Sequence, residues 1–194
     1  MALRRADLDA DPARQFERWY SEAATAQQWP ERTAVATATK EGAPSVRMVL
    51  LKSFDERGLV FFTHTTSRKG RELTGNPRAS LLLYWDSLGR QVRVEGNVEQ
   101  VSPEESDAYF ATRPPGAQAG AVVSRQSEVL ASRDELEARV AALETADVVR
   151  PDTWGGFRVV PDGWEFWQHG DDRLHDRFRY RREGGVWVIE RLYP

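Results

Sequence analysis

The chain has 194 residues, 40% of them hydrophobic and 29% charged, a composition that allows a packed core without covalent staples. It contains no cysteine, which excludes disulfides, thiolate metal sites and cysteine nucleophiles and makes the cytoplasm the expected setting. The net charge of −3 supplies no general attraction for nucleic acid, and no window approaches the ~20 apolar residues of a membrane span, so neither is an expected partner.

Asp11 followed by Pro12 pairs a cap with a first-turn proline, and Phe16, Trp19, Tyr20 and Ala23 recur at the spacing of one helical face, which predicts an amphipathic helix over 12–28. Runs of β-formers at 33–40, 45–54 and 59–63, separated by Glu41-Gly42-Ala43-Pro44 and Asp55-Glu56-Arg57-Gly58, predict a three-stranded meander. Ser67 to Thr74 reads as a short helix closed by Gly75, and Asn76-Pro77 leads into strands 78–85 and 90–101. The pairs Ser102/Glu105 and Ser132/Glu135 form capping boxes that open helices at 103–111 and 133–145, with a Pro/Gly-bearing stretch, 113–131, between them. Strands are expected again at 156–160, 163–168, 176–182 and 185–192, the last two joined by a Gly184-Gly185 hairpin turn. This order predicts a mainly β, antiparallel, closed or partly closed barrel with peripheral helices, one domain over 1–194.

The signatures of several common enzyme classes are missing: there is no G-x-G-x-x-G, Walker loop, H-E-x-x-H or G-x-S-x-G. His64, His169 and His175 make no metal triad on one element, so no metal is expected.

Three stretches concentrate reactive or charged side chains. Thr63-His64-Thr65-Thr66-Ser67-Arg68-Lys69 falls where a predicted strand gives way to a helix. Free amides, hydroxyls and two cations there suit a phosphate monoester, and the same residues also read as a capped, solvated helix start. On Arg47-Met48-Val49-Leu50-Leu51-Lys52, alternation sets Arg47, Val49 and Leu51 against Met48, Leu50 and Lys52, so an inward cation needs an anion or a route to solvent. In Arg173-Leu174-His175-Asp176-Arg177 a strand would align Arg173, His175 and Arg177 on one face, around an anionic or electron-rich ligand or within a surface ion-pair ladder. Trp164, Phe166 and Trp167 offer flat area either to an aromatic ligand or to the core.

Taken in order, Arg47-Met48-Val49-Leu50-Leu51-Lys52, Phe62-Thr63, Ser67-Arg68-Lys69, Arg90-Gln91-Val92, Tyr109, Arg113-Pro114, Gln126-Ser127, Trp154-Gly155-Gly156, Glu165-Phe166-Trp167-Gln168 and Arg173-Leu174-His175-Asp176-Arg177 give the chain its resemblance to the pyridoxine/pyridoxamine 5'-phosphate oxidase family. The likeness extends to the closing Arg191-Leu192-Tyr193-Pro194. It implies an FMN-binding split barrel and a homodimer with FMN at the subunit interface. It also implies oxidation of pyridoxamine or pyridoxine 5'-phosphate by O2 to pyridoxal 5'-phosphate, with hydrogen peroxide as the other product. The FMN contacts it implies come from Arg47, Met48, Val49, Leu50, Leu51, Lys52, Phe62, Thr63, Ser67, Arg68, Lys69, Gln91, Gln126, Ser127, Trp167 and Arg177. Lys52, Tyr109 and Arg113 would hold the substrate phosphate, and Arg173, Leu174 and His175 would meet the pyridine ring, with Arg173 and His175 catalytic.

Some positions depart from that family. Ala117 stands where it usually has a serine at the phosphate, Val122 where it has tryptophan and His169 where it has glycine, and an upstream arm bearing an arginine and a tyrosine would be missing before Leu3-Arg4-Arg5. His64 and Leu83-Tyr84-Trp85 look more like the flavin oxidases of phenazine biosynthesis. An FMN oxidase of another aromatic metabolite, such as a phenazine precursor, and a non-catalytic flavin or pyridoxal phosphate binder therefore stand as alternatives.

Overall fold

The computed structural model describes residues 2–143 and 148–194. Helix α1 (Pro12–Ala26) begins where Asp11 caps it, the carboxylate accepting from Ala13 N–H at 2.9 Å. A cap of this kind stabilises a helix by ~1 kcal/mol. Its inner face buries Phe16, Trp19 and Ala23. Phe16 packs at ring distances of 5.5 Å from Trp164 and 6.1 Å from Trp85, and Trp19 meets Phe166 edge-on at 5.3 Å. Full burial of each such aromatic contributes on the order of 2–3 kcal/mol, so α1 is held by this face more than by helix propensity.

The chain continues through β1 (Arg32–Ala38), β2 (Pro44–Leu50), β3 (Ser53–Asp55), β4 (Gly58–His64), α2 (Arg68–Gly75), β5 (Arg78–Trp85) and β6 (Arg90–Gln100). After α3 (Pro103–Ala111), α4 (Pro115–Val123) and α5 (Arg133–Leu143) come β7 (Trp154–Gln168), β8 (Asp176–Glu183) and β9 (Val186–Leu192). Among the described residues nine strands form one antiparallel sheet in the order β2-β1-β5-β6-β7-β4-β3, with β8 and β9 added along the far half of β7. The two ends of that seven-strand order, β2 and β3, are consecutive in sequence and separated only by Leu51 and Lys52. Two residues span at most about 7 Å, so the sheet must curl until its edges nearly meet. At that corner Leu51 N–H donates to Glu31 O and Lys52 N–H to Val60 O, each at 2.9 Å, as the chain changes strand partners. The expected barrel is this curled sheet, and its interior holds Val35, Leu81, Leu83, Val92, Val94, Val159 and Phe166, all fully buried.

Several boundaries differ from the expectation. The run 45–54 is two strands, because the corner interrupts it. The runs 156–160 and 163–168 are one strand, β7. Pro161, in the gap between those two runs, sits opposite a register shift at Glu95/Gly96, and a bulge lets the strand continue past a residue with no N–H. Within 113–131, α4 forms with Pro115 in its first turn, where a missing N–H costs nothing. Ser102 and Ser132 supply the serine half of the expected boxes, accepting from Glu105 and Glu135 N–H at 3.2 and 3.3 Å. The helix expected over 133–145 is described to Leu143, and its last two residues lie outside the described ones. No helix of the described residues is long and apolar enough to cross a membrane.

Candidate active site

A cleft of about 480 Å³ opens between the β2 corner, the end of β4, the first turn of α2 and the α3–α4 connection. It brings together Met48, Val49, Leu50, Lys52, Phe62, Thr63, Lys69, Tyr109, Arg113 and Gln126 of the expected residues, and adds Thr112, Pro114, Ala117 and Trp154. Three cations and no carboxylate line it. A groove of similar size, about 500 Å³, beside the start of α1 contains none of the expected residues and mixes Asp11, Asp55 and Glu56 with Arg57 and Arg182. Charge rather than size therefore distinguishes the first cleft as an anion site.

Lys69 reaches the cleft from the first turn of α2 and is buried, its ammonium donating to Thr63 Oγ1 at 2.9 Å and Gln126 Oε1 at 2.8 Å. Burial first, and then the charge of Arg47, lowers its pKa to about 8. α2 can come this close to the end of β4 because Gly70 has no side chain: a Cβ there would lie 2.2 Å from Thr65 O. Ser67 caps the helix, accepting from Gly70 N–H at 3.2 Å, while Ser127 Oγ accepts from Arg68 N–H at 3.2 Å.

Across the cleft, Tyr109 stacks on Phe62 at 4.2 Å, and Phe62 stacks on Trp154 at 5.4 Å. The Arg113 guanidinium lies 4.8 Å over the Trp154 ring, and its Nη1 is buried with no hydrogen-bond partner among the described residues. Burial lowers the pKa of Arg113, and burial followed by the charges of Lys69 and Arg113 lowers that of His64. A buried cation donor without an acceptor is costly, and an anionic ligand in the cleft would relieve that cost.

Other expected residues stand behind or away from this cleft. Leu51 is a core side chain, 4% exposed, so any contact it makes with a cofactor is through its backbone. Arg47 points inward, as its alternation requires, and the anion it meets is Glu72, a residue the sequence reading did not single out. Arg68 joins the same carboxylate, Nε to Oε1 at 2.9 Å. Gln91, Trp167 and Arg177 form a cross-strand row on β6, β7 and β8. Arg177 Nε donates to buried Glu165 Oε1 at 2.7 Å, and Arg93 Nη2 to Oε2 at 2.8 Å. Glu165 and Arg93 were likewise not among the expected site residues.

The strand expected to align Arg173, His175 and Arg177 is not formed. β8 starts at Asp176, and Asp171–Arg173 is a helical turn in which Asp172 and Arg173 have φ of 55° and 62°. Left-handed backbone at two non-glycine residues ends any strand geometry there, and it leaves Arg173 exposed on a protruding turn. His175 faces Trp167 at 4.7 Å and His169 at 5.4 Å between ring centres. Its Nδ1 accepts from Gly170 N–H at 3.2 Å, which places the proton of the neutral ring on Nε2, ready to donate.

The curled antiparallel sheet and its carboxylate-free cationic cleft define a β-barrel protein suited to phosphorylated ligands. Residues 21–147 match the family described as Pyridoxamine 5'-phosphate oxidase, and residues 154–194 match the Pyridoxine 5'-phosphate oxidase C-terminal dimerisation region. The chain belongs to the pyridoxamine 5'-phosphate oxidase family. It is 56% identical over 191 residues to a pyridoxine/pyridoxamine 5'-phosphate oxidase of Rubrobacter xylanophilus, covering 96% of this chain and 88% of that one. The corresponding protein of Thermosynechococcus vestitus is 53% identical over 99% of this chain and 93% of its own. PhzG from Burkholderia lata 383, solved in complex with tetrahydrophenazine-1-carboxylic acid, superposes with a TM-score of 0.95 at 37% identity, covering 100% of this chain and 98% of that one.

Proposed function

We infer that the chain is an FMN-dependent oxidase that converts pyridoxamine 5'-phosphate or pyridoxine 5'-phosphate to pyridoxal 5'-phosphate, with O2 as electron acceptor and hydrogen peroxide as product. The observation that carries this reading is a pair of cations in one cleft, buried Lys69 without a carboxylate and half-buried Arg113 with a buried, unused Nη1 donor. Their donor chemistry fits phosphate, and the flat Tyr109, Phe62 and Trp154 stack beside them fits planar ligands.

FMN, when bound, would supply the two-electron chemistry that couples oxidation at the substrate's C4' carbon to reduction of O2. Arg47, Met48, Val49, Leu50, Leu51, Lys52, Phe62, Thr63, Ser67, Arg68, Lys69, Gln126 and Ser127 would hold it from one side of the site, with the phosphate toward Arg47, Arg68 and Lys69. Gln91, Trp167 and Arg177 would hold it from the other. Lys52, Tyr109 and Arg113 bind the substrate phosphate, and this remote binding energy fixes the reacting carbon in place. Arg173, Leu174 and His175 cover the pyridine ring, and His175 Nε2 donates to its polar substituents.

Of the first group, Met48, Val49, Leu50, Lys52, Phe62, Thr63, Lys69 and Gln126 line the cleft and the others stand behind it, whereas the second group lies on β6–β8, most of it within the segment matching the dimerisation region. The chain works as a homodimer, and we place each FMN between the cleft of one subunit and the β7–β8 row of the other. The whole of 1–194 serves as one cofactor-binding unit, and the cysteine-free sequence suits a cytoplasmic setting.

Oxidation of a phenazine precursor is the second reading, favoured by the similarity to PhzG. Anaerobic mixing of the FMN-loaded protein with pyridoxamine 5'-phosphate decides between them: bleaching of the flavin's visible band within one turnover is expected. No bleaching with this substrate, but bleaching with a reduced phenazine carboxylate, would transfer the assignment.

A further inference from the structure

Glu72 is buried at the point where β1, β2 and α2 meet. Its Oε2 accepts from Thr37 Oγ1 on β1 and Ser45 Oγ on β2, each at 2.5 Å, and from Arg47 Nη2 at 3.3 Å. Its Oε1 accepts from Arg68 Nε at 2.9 Å. One carboxylate thus ties two guanidinium groups, carried by different elements, to the wall of the barrel.

We propose that Glu72 is a positioning residue for the phosphate end of FMN, holding Arg47 and Arg68 in the fixed relation that lets both meet one terminal phosphate. This rests on the reading of those two arginines as FMN ligands. Three observations lead to it. Arginine is a long, many-rotamer side chain, and anchoring two of them removes freedom that phosphate binding would otherwise have to remove. Thr37 and Ser45 donate their hydroxyls to the carboxylate and accept from Arg47, so Glu72 and Arg47 are tied to β1 and β2 in one network. Arg47, Arg68 and Lys69 set against Glu72 leave a formal surplus of two positive charges, which matches a phosphate monoester dianion. Although burial alone would raise its pKa, the bonds from Ser45, Thr37 and Arg68 and the charge of Arg47 hold it at about 2, so this charge persists at any working pH.

The test compares dissociation constants for FMN and for riboflavin, which lacks the phosphate, by quenching of flavin fluorescence. Glu72→Gln is expected to weaken FMN binding about tenfold or more, as loss of an orienting partner does at other ligand sites, while riboflavin affinity changes by no more than about twofold. Glu72→Asp keeps the charge but falls one methylene short, and should weaken FMN selectively too. Thr37→Val, which keeps the side chain's shape but removes its bonds to Glu72 and Arg47, should weaken FMN about threefold with riboflavin unaffected. Equal losses for both flavins in Glu72→Gln, or wild-type FMN affinity in Glu72→Asp, would overturn the proposal. Arg68→Ala separates it from the reading beneath it: if that variant leaves the FMN-to-riboflavin preference intact, Arg68 is not a phosphate ligand at all. If it abolishes the preference and Glu72→Gln does not alter it, only the role of Glu72 fails.

Discussion

Lys69 Nζ donates to Gln126 Oε1 at 2.8 Å, tying the first turn of α2 to a loop residue 57 positions later. Neither this bond nor the one to Thr63 offers the ammonium a counter-charge, and its pKa is lowered from 10.5 to about 8. A bound phosphate favours the protonated amine. FMN affinity should therefore be full below pH 8 and fall above it by up to about tenfold per pH unit, as binding comes to require uptake of a proton. Fluorescence titration between neutral and mildly alkaline pH measures this, and Lys69→Met should flatten the profile.

Arg113 and Ala117 share the cleft with Tyr109. If they face the substrate phosphate, Arg113→Ala should raise the Michaelis constant for pyridoxamine 5'-phosphate by about tenfold to a hundredfold, since a hydrogen bond to a charged group is worth ~1.5–3 kcal/mol. Arg113→Lys should recover little, because an ammonium cannot reproduce the planar stack over Trp154. Ala117→Ser should lower the same constant by up to about tenfold at little change in turnover. Steady-state kinetics showing all three variants unchanged would remove the phosphate from this end of the cleft.

Arg173 is presented on a turn of left-handed backbone and makes no ion pair within the chain among the described residues. Its proposed task is to cover the substrate ring, so Arg173→Ala should lower turnover more than tenfold while FMN affinity stays within about twofold. Single-turnover flavin reduction with the FMN-saturated variant separates the two effects.

Val46, Met48 and Leu50 on edge strand β2 are 68%, 61% and 40% exposed, an apolar row on an unpaired edge. Such a row is expected to be covered by the second subunit. Met48→Asp should shift the protein toward monomer in light scattering and reduce FMN retention in parallel. A flavin-free dimer would separate the row from the cofactor site.

Gly70→Ala places a methyl group 2.2 Å from Thr65 O, a contact that only a shift of α2 can relieve. The expected result is a melting temperature several degrees lower, consistent with an overpacking cost of ~1–3 kcal/mol, and weakened FMN binding through displacement of Lys69.

The sequence by itself determined the parts of this protein that depend on neighbours a few residues away. The Asp11-Pro12 cap, the Ser102 and Ser132 caps, the Gly184-Gly185 turn and the alternation through Val92 and Val94 act within one turn of helix or a few strand residues. Accordingly α1, α3, β5 and β6 could be read to within a residue or two of their ends. The ordered motifs from Arg47 to Arg177 likewise carried the family, because they list which side chains are present whatever their arrangement. Where a local signal is ambiguous, tertiary context decided. Pro115 opens α4 rather than a loop, Pro161 is absorbed by a bulge opposite Gly96, and Asp172 and Arg173 take left-handed backbone that nothing in their identities requires. The partners of the site's cations were also beyond sequence reading. Arg47 and Glu72 lie 25 residues apart, and Arg93 and Glu165 lie 72 apart. Only the curl forced by the two-residue β2–β3 corner and the pairing of β6 with β7 bring such groups within hydrogen-bond distance, since a carboxylate has no preference among arginines until the folded sheet selects one.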